Sequence, residues 1–202
     1  MHSLDSVTLL GGGQVNKAQI TEALLYAPLL AAADGGAKIA VKMGHIPKIV
    51  IGDFDSIDKK TLAKIPPNRL KRIPEQESTD FEKCLTNISA PLILGIGFMG
   101  GRVDHQLAAF NALVRHAHQP CILIGKRDLC FHVPPKITLV LTPKSRLSLF
   151  PMANVRGSSA GLEWPIDGLD FAPAGRIGTS NMTKTGSVTL QMDGPGMLAI
   201  VP

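Results

Sequence analysis

The pattern of apolar residues changes near residue 128, and this change constrains the fold more than any other feature of the sequence. Before residue 128, short and solidly apolar runs alternate with stretches that place apolar residues on one helical face. Strands that are apolar throughout are typical of a parallel sheet covered by helices on both faces. Residues 1–128 are therefore predicted to form an α/β domain with a mostly parallel, Rossmann-like sheet.

The elements predicted for this first domain follow one another in the order strand, loop, helix. Strands are expected at 7–10, 29–33, 48–51, 91–94 and 121–124, and helices at 19–30, 37–43, 79–88 and 104–116. The helix at residue 79 has the clearest start, because Thr79 is a good N-cap and Asp80 suits the positive end of the helix dipole.

The second part of the chain has no convincing helical pattern. Short β-rich runs recur between Gly, Pro and Asn residues at 137–141, 146–150, 161–164, 187–192 and 197–201. This close spacing is typical of a small antiparallel sandwich or barrel. Residues 129–202 are therefore predicted to form an all-β sandwich domain.

Composition and charge exclude several classes of protein. The net charge of +5 over 202 residues includes no basic tail or patch, so nucleic acid is not an expected partner. The longest apolar run, residues 23–33, is well short of the roughly 20 residues that a membrane span needs. No signal-peptide pattern is present, and the three cysteines form no CxxC pair. We therefore expect a cytoplasmic protein without a membrane span.

The acidic residues of the first part stand where predicted strands end or helices begin. They are Asp34, Asp53, Asp55, Asp80 and Asp104. In an open parallel sheet these positions gather along the edge where such folds bind ligands. Carboxylates gathered there repel one another unless a cation neutralises them, and oxygen ligands favour Mg²⁺ with substrate phosphates. The alternative is that Asp and Gly are simply common turn residues.

Glycine-rich loops accompany these carboxylates. Gly11-Gly12-Gly13, Gly35-Gly36 and Gly100-Gly101 have backbones that a phosphate can approach closely, although none is a Walker A loop or a GxGxxG motif. Arg102 follows directly and offers a planar pair of donors for phosphate oxygens, with a surface ion pair as its alternative role. Together these features indicate a magnesium-dependent enzyme that acts on a nucleoside triphosphate.

Four ordered motifs give the chain a resemblance to a known family, the thiamine pyrophosphokinases. They read Ala33-Asp34-Gly35-Gly36-Ala37, Ile51-Gly52-Asp53-Phe54-Asp55-Ser56, Ser78-Thr79-Asp80-Phe81-x-Lys83 and Gly100-Gly101-Arg102-Val103-Asp104-His105. Later segments resemble the family's thiamine-binding sandwich: Gly161-Leu162-Glu163-Trp164-Pro165, Thr179-Ser180-Asn181 and Gly186-Ser187-Val188. Two positions depart from the family pattern, Lys38 where Asn is common and Gln76 where bacterial members often carry Lys.

The resemblance implies transfer of a diphosphate group from ATP to the hydroxyethyl oxygen of thiamine, which yields thiamine diphosphate and AMP with Mg²⁺ as cofactor. It implies catalytic roles for Asp53, Asp55, Asp80 and Arg102, and metal coordination by Asp53, Asp55, Asp80 and Asp34. ATP is expected at Gly11, Gly12, Gly13, Asp34, Gly35, Gly100, Gly101, Arg102 and Asp104. Thiamine is expected at Gln76, Thr79, Trp164, Ser180 and Asn181.

Trp164 is the only tryptophan of the chain. A lone tryptophan in a β domain is ordinarily a core residue, but the resemblance favours contact with thiamine, whose cationic thiazolium suits an aromatic face. The resemblance also implies a homodimer, in which the sandwich of one subunit faces the catalytic domain of the other and the active site is shared.

Two alternative functions stay open. A pterin pyrophosphokinase would use a similar metal and ATP site, although Trp164 and Ser180-Asn181 favour thiamine as the acceptor. A non-catalytic nucleotide-sensing regulator would keep the fold without the chemistry, although all the expected metal carboxylates are present.

Overall fold

The structure, a computed structural model, describes residues 1–202 and divides into two compact units. The first comprises residues 1–112 and 118–126, and the second comprises residues 113–117 and 127–202. None of the helices is long and apolar enough to cross a membrane.

The first unit contains the α/β elements. Its strands are β1 (Val7–Leu10), β2 (Leu29–Ala33), β3 (Ile49–Gly52), β4 (Leu70–Arg72), β5 (Ile93–Ile96) and β6 (Cys121–Ile124). Helices α1 (Lys17–Tyr26), α2 (Gly36–Lys42), α3 (Lys59–Leu62), α4 (Asp80–Asn87) and α5 (Val103–Arg115) alternate with them, and a short 3-10 helix covers Pro67–Arg69.

Parallel pairing dominates the first unit. Strands β1, β5 and β6 pair in that spatial order, and β2, β3 and β4 form a second parallel set. A bridge between Val7 and Pro28 places β1 beside β2. Strands β1 and β5 are buried at every position, because side chains on both of their faces enter the core. The predicted mostly parallel sheet is confirmed.

The second unit is antiparallel. Its strands are β7 (Leu129–His132), β8 (Lys136–Val140), β9 (Arg146–Pro151), β10 (Gly157–Ala160), β11 (Gly178–Met182), β12 (Ser187–Met192) and β13 (Met197–Val201). They form one sheet in the order β7, β13, β9, β11 and another in the order β10, β12, β8. The predicted antiparallel region is confirmed.

Two predicted elements differ from the structure. Helix α1 ends at Tyr26 instead of residue 30, since Pro28 has no N–H to donate and Leu29 begins β2. Residues 161–164 do not form a strand. Gly161 has a φ of +88°, and Leu162 makes only an isolated bridge with Thr183.

Candidate active site

A cavity of about 640 Å³ opens in the first unit, at the ends of β2 and β3 and the start of α4. Its lining includes ten residues predicted to form the site: Gly12, Gly13, Asp34, Gly35, Asp53, Gln76, Thr79, Asp80, Gly101 and Arg102. Strands β2 and β3 are parallel neighbours, so the residues that follow them meet at one edge of the sheet.

Three carboxylates form a tight cluster at this edge. One oxygen from each of Asp34, Asp53 and Asp55 lies within 4.8 Å of the others. Asp34 directly follows β2, and the other two directly follow β3. At this separation the charges of Asp53 and Asp55 repel that of the buried Asp34, where water screens least.

Asp34 is the buried member of the cluster, with 1% of its surface exposed. Its Oδ2 accepts a hydrogen bond from the backbone N–H of Ser56 at 3.2 Å, but its Oδ1 has no hydrogen-bond partner. Burial raises the pKa of Asp34, and the Ser56 hydrogen bonds oppose this rise. A buried carboxylate oxygen without a partner is costly, so this oxygen suits a bound cation.

The backbone around Asp34 leaves little space. The φ of Asp34 is 29°, in a region that residues other than glycine rarely adopt. A Cβ on Gly52 would lie 2.8 Å from the Asp34 Cβ, and one on Gly36 would lie 2.1 Å from the Leu10 carbonyl oxygen. Glycines at these two positions therefore permit the close approach of β1, β2 and β3 that holds Asp34 in place.

Asp53 and Asp55 come together through a turn. Phe54, which lies between them, has a left-handed φ of 69°, so the backbone turns at this residue. Asp53 Oδ1 accepts the Asp55 backbone N–H at 3.1 Å, and its Oδ2 accepts the Gln76 side-chain amide at 2.8 Å. These hydrogen bonds lower the pKa of Asp53 and keep its carboxylate ionised, and the one from Gln76 has the largest effect.

Helix α4 brings Asp80 to the cavity. Thr79 caps the helix by accepting the Glu82 backbone N–H, so Asp80 occupies the first turn as predicted. Burial, with repulsion from Asp34 second, raises the pKa of Asp80 to about 6, while Lys83 opposes the rise from 3.8 Å away. A carboxylate of this kind becomes more acidic when a cation binds beside it.

The cluster meets the chemical requirements of a Mg²⁺ site. All the donors are oxygens, and the Asp34 Oδ1 is unpartnered. Burial first, with repulsion between the carboxylates, raises the pKa values of Asp34 and Asp80. Mg²⁺ prefers one or two carboxylates together with water and phosphate oxygens.

Some glycines of the predicted loops line the cavity, and others do not. Gly12, Gly13 and Gly35 line the cavity, where their backbones are open to a ligand. Gly11 does not line it, and a Cβ there would lie 2.7 Å from the Gly97 carbonyl oxygen. Gly100 is also outside the lining and has a φ of +80°. The ATP-binding roles of Gly11 and Gly100 stay predictions.

Arg102 lines the cavity and at the same time forms an ion pair with Asp104. Its Nε and Nη2 donate to the two Asp104 oxygens at 3.1 and 2.5 Å, and both side chains are exposed. The hydrogen bonds from Arg102 lower the pKa of Asp104 to about 2. Asp104 itself does not line the cavity. Asp104 therefore contacts Arg102 and not the cavity, and its predicted ATP contact stays a prediction.

The residues predicted for thiamine in the second unit have distinct environments. Trp164 is 57% exposed, which excludes a core role within this chain. Asn181 is buried, and its side chain accepts the Trp164 N–H at 3.3 Å and donates to the Trp164 carbonyl at 2.7 Å. Asn181 thus holds the Trp164 backbone instead of presenting its amide to solvent. Ser180 is exposed and has a φ of 60°.

Several residues of the cavity were not predicted as site residues. Lys38, Ser56, Lys83, Phe98 and His105 all line it. The spacing of Lys83, three residues after Asp80 on a helix, was the signal that places both side chains on one face. No comparable signal marks Phe98, whose ring centroid lies 4.5 Å from that of Phe81.

Comparison with known proteins identifies the family. A family model described as "Thiamin pyrophosphokinase, catalytic domain" matches residues 21–124, slightly more than half of the chain. The chain belongs to the thiamin pyrophosphokinase family. It is 25% identical to Thiamine pyrophosphokinase 1 of Arabidopsis thaliana over an alignment that covers 83% of this chain and 76% of the relative.

Solved structures share the fold. The thiamin pyrophosphokinase of Geobacillus thermodenitrificans superposes with a TM-score of 0.78 at 20% identity, covering 100% of this chain and 96% of its own. That of Candida albicans gives a TM-score of 0.81 at 15% identity, covering 98% of this chain and 89% of its own. The combination of a parallel sheet with an antiparallel β region is thus the fold of these enzymes.

Proposed function

We propose that this protein is a magnesium-dependent thiamine pyrophosphokinase, which transfers diphosphate from ATP to thiamine and releases AMP. The observation that carries the proposal is the cluster of Asp34, Asp53 and Asp55, with its unpartnered buried oxygen, in a glycine-lined cavity of a family member. The relatives bear the name of this enzyme.

Asp34, Asp53, Asp55 and Asp80 would hold Mg²⁺, directly or through water. When bound, the metal ion neutralises phosphate charge and draws the phosphate oxygens to the carboxylate edge. The backbones of Gly12, Gly13 and Gly35 line the same cavity and admit phosphate at close range. Catalysis of such a transfer depends mainly on position and charge, since the attacked β-phosphorus needs little covalent assistance.

Arg102 would supply positive charge to the cavity that it lines. Its planar guanidinium can exchange the exposed Asp104 carboxylate for phosphate oxygens at little cost, because exposed ion pairs are weak. The thiamine hydroxyl must also lose its proton. Asp80, half-buried on the cavity wall, is our candidate to accept it.

On the acceptor side, we propose that Trp164 stacks on thiamine. Its indole is exposed, and the two Asn181 hydrogen bonds fix the backbone that carries it. A cationic thiazolium over an indole face gains on the order of 1 to 2 kcal/mol. Gln76 and Thr79 line the cavity and would contact thiamine there. Ser180, the chain neighbour of Asn181, would contact thiamine together with Trp164.

The proposed active site is shared within a homodimer. Residues 1–128 would bind ATP and Mg²⁺, and the sandwich of residues 129–202 from a second subunit would supply Trp164. The three cysteines are buried and form no disulfide, which accords with a reducing compartment, and a cytoplasmic location stays a prediction.

An acceptor assay tests the proposal against its nearest alternative. AMP release from Mg·ATP is measured with thiamine, with a hydroxymethyl pterin and with no acceptor. We expect release to depend on thiamine alone. Stimulation by the pterin instead would favour a pterin pyrophosphokinase. If the protein binds ATP but releases no AMP with either acceptor, the result would favour a non-catalytic nucleotide-sensing regulator.

A further inference from the structure

Glu75 organises the segment that leads into helix α4. Its Oε2 accepts the backbone N–H groups of Glu77 and Ser78 at 2.7 and 3.1 Å, and its Oε1 accepts the Ser78 hydroxyl at 2.5 Å. These hydrogen bonds lower the pKa of Glu75, and the one from the Ser78 side chain has the largest effect. Residues 74–79, here called the 74–79 loop, are therefore folded around one ionised carboxylate.

Lys83 anchors this loop to the helix. Its side chain is only 3% exposed, and its Nζ lies 4.0 Å from Glu75 Oε1 and 3.8 Å from Asp80 Oδ1. A buried ammonium needs nearby negative charge, because its desolvation is otherwise very costly. Lys83 therefore fixes two carboxylates at once, one on the loop and one on the cavity wall.

The loop reaches the carboxylate cluster through Gln76. Its Nε2 donates to Asp53 Oδ2 at 2.8 Å and to the Pro74 carbonyl at 3.3 Å. Gln76 is the direct neighbour of Glu75, so a shift of the Glu75 hydrogen bonds moves the residue that links the loop to the cluster. A connected path thus runs from Lys83 through Glu75 and Gln76 to Asp53.

We propose that Glu75 and Lys83 act as a positioning pair, which holds the 74–79 loop so that Gln76 is aligned between the acceptor and Asp53. The role rests on the proposed function and deepens its acceptor side. Glu75 lies outside the cavity lining and acts through Gln76, so it is a positioning residue. The glycine loops that receive ATP lie on other elements and do not depend on it.

Glu77 provides a matched control for Glu75. It lies on the same loop and carries the same charge, but only its backbone N–H takes part in the network. Glu75→Ala and Glu77→Ala are compared for their KM values and for the hydrogen exchange of residues 74–79. Glu75→Gln is the conservative variant, because it keeps one oxygen acceptor for the loop amides. It loses the charge facing Lys83 and the second acceptor oxygen, which receives the Ser78 hydroxyl.

In Glu75→Ala we expect the KM for thiamine to rise at least about fivefold and kcat to fall, with the KM for ATP within about twofold. Exchange at the Glu77 and Ser78 amides should become at least about tenfold faster. Glu77→Ala should match the wild type in both measurements, and Glu75→Gln should lie between. A purely structural role would instead lower the fraction of active protein and leave both KM values unchanged.

The two readouts separate this inference from the proposed function. Hydrogen exchange needs no turnover, so it tests the Glu75–Lys83 pair even in a protein that does not use thiamine. If the wild type shows no thiamine-dependent turnover, only the proposed function is refuted. Equal behaviour of Glu75→Ala and Glu77→Ala would overturn the pair. In a protein with thiamine-dependent turnover, a change in only one of the two readouts would also overturn the pair. If Glu75→Ala does not fold, Glu75→Gln decides by the same criteria.

Discussion

Replacing Asp80 by Asn should stabilise the metal-free protein while it removes activity. Asp80 is a half-buried carboxylate on the cavity wall, and repulsion from Asp34 adds to the cost of its burial. Asparagine has nearly the same shape without the charge. If the cluster is built for a cation, its carboxylates must destabilise the fold when the cation is absent.

The magnitude follows from the pKa of Asp80. A rise from 3.8 to about 6 corresponds to about 3 kcal/mol at roughly 1.36 kcal/mol per pKa unit. Solvent screens this charge, since 39% of the side chain is exposed, and we reduce the expected gain to about 1 kcal/mol. Because the pKa of Asp80 is higher in the folded protein, the contribution of Asp80 to wild-type stability falls as pH rises from 3.8 to about 6 and is level above it.

Urea unfolding followed by circular dichroism measures the effect. In EDTA at pH 8, Asp80→Asn should be more stable than the wild type by about 1 kcal/mol, and most of the difference should vanish near pH 4. Saturating Mg²⁺ should reverse the order, because the wild type gains the free energy of metal binding. A variant that is no more stable than the wild type in EDTA at pH 8, or a difference independent of pH, would refute the reasoning.

Three further substitutions test other parts of the account. Arg102→Lys should lower kcat at least about tenfold, because a lysine ammonium cannot reproduce the paired donors of the planar guanidinium. An unchanged steady-state rate would remove Arg102 from the catalytic residues. Trp164→Ala should weaken thiamine binding several-fold and spare ATP binding in calorimetry, and mixing it with Asp53→Asn subunits should restore part of the activity. Mixed subunits that exchange but stay inactive would contradict a shared site. His132 accepts the Gly196 N–H through Nε2, and burial lowers its pKa. The contribution of His132 to wild-type stability should therefore be complete above about pH 6.5 and fall below it. His132→Gln should remove that decline in unfolding experiments, and an identical pH profile would exclude His132 as its cause.

The sequence was sufficient to predict that acidic residues gather at one edge of the parallel sheet, because the relevant signals are local. Asp34 and Asp53 directly follow apolar runs, and the order of parallel strands places such positions together. Thr79 and Asp80 were likewise predictable as a helix start, since capping depends on residues a few positions apart.

Other features depend on contacts that a linear pattern does not reveal. No pattern in the sequence marks the left-handed turn at Phe54 or the unpartnered Asp34 oxygen. The role of Glu75 depends on a fold-specific approach of Lys83, and that of Asn181 on Trp164, 17 residues away. Strand β11 was missed because its sequence is polar and its register shifts between Gly178 and Asn181.

The identity of the transferred group tests the central claim most directly. Purified protein is incubated with ATP, thiamine and Mg²⁺, and the products are followed by ³¹P nuclear magnetic resonance. Attack at the β-phosphorus predicts AMP and thiamine diphosphate in equal amounts, and Asp53→Asn should form neither. ADP with thiamine monophosphate, or AMP that forms equally well without thiamine, would contradict the account.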